Sequence, residues 1–297
     1  MSVVAVLRNS TAGRGKHQHG VTTALSALAA AGHVVKTLDA ATRSEAAAVT
    51  RRAVADGVEA LVVVGGDGTV HLGLQAVAGS TVGFGVIPAG TGNDFARAVG
   101  VPIDVVAAGQ AIARALDEGR RTVVDLAQMS TPDGHRHWFC AVLAAGFDAL
   151  VNERANAMRW PKGRRRYDVA VFAELIRMDQ RHYRITLDDT VLDQQACLVA
   201  VGNTPSYGGG LRMCPDADLT DGLLDVIVAG PVTRLTLLRL YPKVFQGTHV
   251  HHPAVRCYRA RTVTIEADGI VAYADGERIR PLPLTVTAVP AALHVLV

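Results

Sequence analysis

The chain has no apolar run near the ~20 residues that a membrane-spanning helix needs. Met1 to Arg8 lacks the basic start and long apolar stretch of a secretory leader and reads instead as a strand. Cysteine is scarce: Cys140, Cys197, Cys214 and Cys257 are scattered and form no CxxC pair. That argues against a disulfide framework or a zinc site and for reduced, buried thiols in a cytoplasmic protein. Charge of one sign is also lacking. Lys plus Arg is 30 and Asp plus Glu is 27, a formal charge of +3. This is too mild to argue for nucleic acid, and no nucleic-acid motif is present. What is there is 297 residues, enough for two domains with a core each.

The most informative stretch runs from Leu61 to Asp94. Leu61 to Val64 is a short, mostly β-branched run that suits a strand buried on both faces. Gly65, Gly66, Asp67, Gly68 and Thr69 follow at once, and a helical pattern starts near Val70. Strand, glycine-rich turn and helix N-terminus in that order favour an anion, because free N–H groups and the helix dipole face it. Gly68 is expected to need either positive φ or the absence of a side chain beside phosphate. A second apolar strand, Phe84 to Ile87, leads into Pro88-Ala-Gly-Thr-Gly-Asn-Asp94 and a helical Phe95 to Val99. Two such turns at the ends of neighbouring strands mark where an open α/β sheet binds its ligand.

GGDGT at 65–69 followed by PAGTGNDFA at 88–96 resembles the diacylglycerol kinase catalytic domain, shared by soluble bacterial lipid kinases and sphingosine kinases. GGDGT alone occurs in NAD kinases too; the pair at this spacing is more specific. The resemblance runs from about residue 3 to 297 and is weak over 128–200. It implies ATP and Mg²⁺ as cofactors. It implies nucleotide contacts at Gly65, Gly66, Asp67, Gly68, Thr69 and Val70, with Thr91 and Asn93 in support. Asp67 would hold Mg²⁺ or order the water around it. The related kinases carry an Asn-Pro-x-x-Gly loop near the N-terminus. In the family this loop touches the nucleotide; here Asn9 and Gly13 are kept and Ser10 stands where proline is usual, so the resemblance implies nucleotide contacts at Asn9 and Thr11, while Arg14 and Lys16 are either phosphate ligands or solvated charges. Thr37, at the end of the strand Val34 to Leu38, is either a nucleotide contact or turn packing. Where relatives often have Glu after the turn, this chain has His71 and Leu72. A lone histidine at a helix start is more often solvated or capping than acid–base.

Strands alternate with helices (Val21 to Ala30, Ser44 to Ala55, Ile103 to Glu118) through the first part of the chain, which predicts a parallel, Rossmann-like α/β domain. The strand Arg120 to Ala127 carries Asp125 among apolar neighbours, where a buried carboxylate needs a partner. The resemblance places Asp94 and Asp125 in a hydrogen-bonded network near the nucleotide. From about residue 126 the pattern changes to alternating strands: 137–142, 183–187, 196–201, 224–228, 261–266 and 284–288. This predicts a mostly antiparallel β-sandwich over 126–288, with 1–125 as the ATP-binding domain, completed by a last strand at about 289–297.

Three motifs of the second domain bear on function. Trp160 with Lys162, Arg164, Arg165 and Arg166 suits a membrane surface, or else a solvated basic turn before a helix at Tyr167 to Met178. Pro215-Asp-Ala-Asp-Leu-Thr-Asp-Gly-Leu223 matches a family turn that holds a structural magnesium. The resemblance implies the Asp221 carboxylate and the Asp218 and Leu223 carbonyls as its ligands, a set that suits Mg²⁺ with water. Asp275-Gly276-Glu277 is a hairpin signal, and in the family its carboxylates serve as catalytic base or nucleotide-metal ligand. Which does which is open. His249, His251 and His252 lack a zinc spacing, and in a strand the last two would point to opposite faces.

The expected function is transfer of the ATP γ-phosphate to a lipid hydroxyl, diacylglycerol or a relative. The head group would enter between the domains and the acyl chains would lie on the sandwich. The expected partner is a lipid at a membrane surface, met peripherally from the cytoplasm; a homodimer is left open. The alternatives are an NAD kinase or a non-enzymatic nucleotide regulator. An NAD kinase should carry an Asn-Glu pair after the loop, and only Asn152-Glu153 offers one. A regulator should have lost the carboxylates at 275–277.

Overall fold

The computed structural model describes residues 2–8, 18–158, 160, 169–171, 173–174 and 180–297. The chain divides into two compact units, Met1–Leu126 with Val289–Val297, and Ala127–Ala288.

The first unit alternates strands and helices: β1 Val3–Arg8, α1 Gln18–Ala30, β2 Val34–Leu38, α2 Arg43–Ala55, β3 Ala60–Gly65, α3 Asp67–Val77, β4 Gly83–Pro88, α4 Asp94–Ala98 and α5 Val105–Asp117. β1 pairs in parallel with β2 and β3, and β3 with β4, so each link crosses over through a helix. β3 and β4 are buried along their whole length, because helices cover both faces of a parallel sheet. Val4, Val6, Val62, Val64 and Ile87 of the strands pack against Val21 and Leu28 of α1 and Ile112 of α5. Two sequence signals set the helix starts. Thr42 and Glu45 form a reciprocal capping box for α2, and Asp104 caps α5 through the N–H groups of Val106 and Ala107.

The second unit adds β5 Thr122–Ser130, β6 Arg136–Phe139, β7 Val142–Gly146, α6 Phe147–Ala157, β8 Arg181–Leu187, β9 Thr190–Ala196, β10 Leu198–Gly202, β11 Leu224–Ala229, α7 Arg234–Gln246, β12 Val255–Ala260, β13 Thr262–Glu266, β14 Val271–Ala274, β15 Glu277–Pro281 and β16 Leu284–Val295. β5 starts in the first unit, and β16 returns the chain there to pair in parallel with β4. One antiparallel sheet runs β12-β11-β10-β7-β14-β15, and the other places β13 between β8 and the first half of β16. Leu143, Val199, Val201, Val226 and Val228 of the first sheet share a core with Tyr183, Ile185, Val263, Ile265 and Val286 of the second. The fold class read from the sequence, a Rossmann-like α/β domain with an antiparallel β-domain, is the fold observed.

Several local expectations are corrected. α3 starts at Asp67, three residues before Val70, because Gly66 rather than a polar side chain is its N-cap. The strand expected over 137–142 is broken at Cys140 and Ala141 into β6 and β7. The two C-terminal strands are one, β16, with Ala291 in the left-handed region at φ 54. His249 and His251 lie in a 3-10 turn, Thr248–His251, rather than a strand. The helix expected at Tyr167 to Met178 falls mostly outside the described residues, as do Lys162 and Arg164 to Arg166.

Candidate active site

β3 and β4 end side by side, with Gly65 paired to Pro88, so the two glycine-rich turns leave the sheet at the same edge. Backbone proximity then decides the residue types. A Cβ on Gly90 would stand 2.4 Å from the Gly66 Cα, and a Cβ on Gly66 would stand 3.0 Å from the Gly90 Cα. The turns touch through bare backbone, which only glycine at both positions allows. Gly65 is excluded from having a side chain by Thr69, whose Oγ1 would lie 2.3 Å from the added Cβ.

Asp67 ties the turns together. Its Oδ2 accepts the Asn93 N–H at 2.9 Å, and Oδ1 accepts those of Asp94 at 2.8 Å and Phe95 at 3.4 Å. Those N–H groups open α4, so the carboxylate caps that short helix from another segment. Burial, then the nearby Asp94, pushes the Asp67 carboxyl above the usual carboxylate range, against the three N–H groups that pull it down. Asn93 takes the left-handed conformation, φ 57, and closes its own turn: Oδ1 accepts the Gly90 N–H and Nδ2 donates to the Gly90 carbonyl, at 3.1 and 3.0 Å.

These contacts redistribute the roles expected for the loop. Gly68 is the second residue of α3, so it is helical and needs no positive φ, which leaves the other expected reason, the absence of a side chain beside phosphate; the left-handed residue of the two turns is Asn93. Thr69 and Val70 are buried and Gly66 and Asp67 half-buried, while Gly68 and Thr91 are exposed. With no side chain capping α3, the N–H groups of Asp67 and Gly68 head the helix, where an anion is favoured. The arrangement would suit a phosphate received by backbone at Gly66 to Gly68.

The other expected contacts are spread out. Asn9 and Thr11 lie outside the described residues. Thr37 is exposed on β2, the edge strand, with β1 between it and β3. Asp125 is buried in β5 and accepts the Ala291 N–H at 2.8 Å, so it fastens the returning strand. His71 is 2% exposed within α3, which removes the solvated and capping readings.

In the second unit, Asp275 and Gly276 form a two-residue hairpin between β14 and β15, with φ 51 and φ 80. Positive φ at both central positions is what a type I′ turn requires. The Asp275 carboxylate is committed to backbone: Oδ1 accepts the Ala141 N–H at 2.8 Å and Oδ2 the Cys140 N–H at 3.1 Å. Asn203 braces the same break in the strand, its Nδ2 donating to the Cys140 carbonyl at 3.1 Å. Glu277 opens β15 opposite Ala274 and is half-buried.

The turn at 215–223 meets a cation from β12. Asp221 accepts the Leu223 N–H at 2.9 Å through Oδ1, and its Oδ2 pairs with the Arg259 guanidinium. The Arg259 Nε lies 3.4 Å from Asp225 as well. Burial raises the Asp225 carboxyl, and Arg259 opposes that rise. Asp218 accepts the Thr220 hydroxyl at 2.7 Å and its N–H at 2.9 Å, which hold its carboxyl below the usual range. The carboxylate expected to carry a magnesium thus pairs with a guanidinium in this structure, and a metal there would compete with Arg259. No step below runs through a metal at this turn.

The family model for the diacylglycerol kinase catalytic domain matches residues 3–129, and that for the YegS C-terminal NAD kinase beta sandwich-like domain matches residues 141–297. A diacylglycerol kinase of Mycobacterium tuberculosis is 48% identical over 245 residues, 82% of this chain and 78% of that one. The chain belongs to the diacylglycerol kinase family. A more distant diacylglycerol kinase, from Staphylococcus saprophyticus, is 27% identical over 94% of this chain and 90% of its own. Among solved structures, a diacylglycerol kinase from Bacillus anthracis superposes with a TM-score of 0.72 at 20% identity, covering 99% of this chain and 96% of that one. An NAD kinase from Archaeoglobus fulgidus in complex with ATP superposes at 0.56 with 13% identity, over 99% and 93%. Both show the fold. Membership makes this a kinase-family chain. Motif reading missed the role of Gly90 in the first unit, and of Arg259 and the Cys140–Ala141 break in the second, as the contacts around the candidate residues. Gly90 alone left a signal, as one glycine among several in PAGTGND.

Proposed function

We propose that the protein transfers the γ-phosphate of ATP to the hydroxyl of diacylglycerol or a closely related lipid. The observation that carries this reading is the pair of glycine-rich turns, bound together by Asp67, in a chain of this family. The helix head at Asp67 and Gly68 offers backbone N–H groups to phosphate oxygens. Phosphoryl transfer needs positioning and charge neutralisation more than covalent help. Mg²⁺ arrives with ATP as part of the substrate and supplies that neutralisation. Asp67 and Asp94, whose mutual repulsion already raises Asp67, are the carboxylates of the first unit that would hold it.

The acceptor hydroxyl must give up a proton as its oxygen bonds to phosphorus and the bond from phosphorus to the ADP oxygen breaks. Of the two carboxylates at the hairpin, Glu277 is the one we assign as base. Both oxygens of Asp275 accept backbone N–H groups, which suits a residue that holds the hairpin in place. The two substitutions separate the roles. Glu277→Gln should cut lipid phosphorylation by about 10² or more, the usual scale for losing a general base, while ATP affinity stays close to that of the parent. Asp275→Asn should lower the melting temperature, because an amide cannot accept from both N–H groups. Full lipid phosphorylation by Glu277→Gln would overturn the assignment. Lipid is reached at a membrane surface; no helix of the described residues is long and apolar enough to cross one.

A further inference from the structure

Helix α7 buries one side and exposes the other. Leu240 and Val244 are buried, and Leu237 and Tyr241 pack on the cluster of Phe147, Val151 and Ala155 from α6 with Ala170 and Val171. The opposite side shows Leu235, 54% exposed, and Leu238, 36% exposed, with Pro242 exposed beyond them. Positions 235, 238 and 242 follow i, i+3, i+7 and form one stripe. Single exposed leucines are ordinary, but this stripe has company. Arg234, Arg239 and Lys243 flank it, and the helix RLTLLRLYPKVFQ has no acidic residue. Met158 packs on the same cluster as Leu237, and two residues further along the chain Trp160 is 81% exposed.

We propose that α7 seats the protein on an anionic lipid surface. Leu235, Leu238 and Pro242 enter the acyl boundary, Arg234, Arg239 and Lys243 meet phosphate head groups, and Trp160 anchors beside them. This rests on, and refines, the lipid-kinase reading. An apolar stripe with a basic flank and a nearby tryptophan is the composition of an interfacial helix. Charge selects the occupant. A second copy would bring three cations against three cations, whereas anionic head groups neutralise all of them.

The test is co-sedimentation of the full chain with vesicles of phosphatidylcholine alone and of equal parts phosphatidylcholine and phosphatidylglycerol, without ATP. The expected result is binding to the anionic vesicles that weakens with salt. Arg239→Gln and Lys243→Gln should each weaken it about five-fold, the ~1 kcal/mol a basic side chain gains beside anionic lipid. Leu235→Ser and Leu238→Ser should each cost roughly tenfold, from the apolar area they bury. All four are exposed, so their melting curves should match the parent, and phosphorylation of a water-dispersed short-chain diacylglycerol should stay unchanged. Equal vesicle binding by parent and variants overturns the proposal, as does a parent that binds neither vesicle. A concentration-dependent dimer lost in Leu235→Ser would assign the stripe to a second copy and also overturn it. A chain that binds vesicles through α7 yet phosphorylates no lipid supports the surface and removes the kinase reading.

Discussion

Substituting Asp67 by Asn tests its role as a structural tie separately from its proposed part in holding Mg²⁺. The amide keeps one acceptor oxygen but turns its NH2 toward either the Asn93 or the Asp94 N–H, whose nitrogens lie 2.9 and 2.8 Å from the two carboxylate oxygens. A hydrogen bond to a charged acceptor contributes ~1.5–3 kcal/mol. Burial and Asp94 already strain the charged form, so the lower figure applies. Losing one such bond and gaining a donor–donor contact should therefore cost about 2 kcal/mol. For a chain of this size that lowers the melting temperature by roughly 4 °C or more. The turns carrying Gly66 and Gly90 should part, and ATP affinity by calorimetry should fall about tenfold or more, equivalent to ~1.4 kcal/mol. Unchanged melting with lost activity would refute the tie and make Asp67 a metal ligand alone.

The remaining predictions concern other joints of the fold. Gly90→Ala forces a Cβ to 2.4 Å from the Gly66 backbone and should cost ~1–3 kcal/mol with loss of ATP binding; a mutant that melts and binds like the parent contradicts the close approach. Arg259→Met leaves Asp221 and Asp225 without their shared cation and should destabilise by about 1–3 kcal/mol, since the pair is only partly buried. Magnesium should then raise the melting temperature of Arg259→Met but not of the nucleotide-free parent, and a parent that responds equally refutes the assignment. His249 is buried with Nε2 3.1 Å from the Met213 carbonyl, and burial pushes its pKa below the ordinary histidine value. The unfolded chain then binds a proton that the fold refuses, so stability should fall as pH drops below that ordinary value. His249→Gln should flatten this part of the thermal pH profile; an unaltered slope would assign it to other groups.

The fold class and both sheets were legible because the period of the apolar residues changes along the chain. β3 and β4 are continuous apolar runs, as strands buried on both faces must be. β8 and the first half of β16 alternate, as half-buried strands do. The glycine-rich turns were legible as a phosphate site, but not the reason for each glycine. Gly66 and Gly90 answer to one another across 24 residues, a contact that no local pattern encodes. Asp275 was visible as a turn residue, yet its hold on the N–H groups of Cys140 and Ala141 is a contact across 135 and 134 positions. Arg259 was hidden for the same reason: within β12 it reads as one more exposed charge of an edge strand, and only pairing with β11 brings it to Asp225. α7 was missed because Pro242 sits inside it and exposed leucines blur its apolar face.

The proposed reaction is phosphorylation of a lipid hydroxyl by ATP. The direct measurement is transfer of labelled γ-phosphate from ATP to diacylglycerol in mixed micelles, with NAD offered in parallel and the products identified by mass spectrometry. The expected products are a labelled phosphorylated lipid and no labelled dinucleotide. Label in NAD and in no lipid would contradict it.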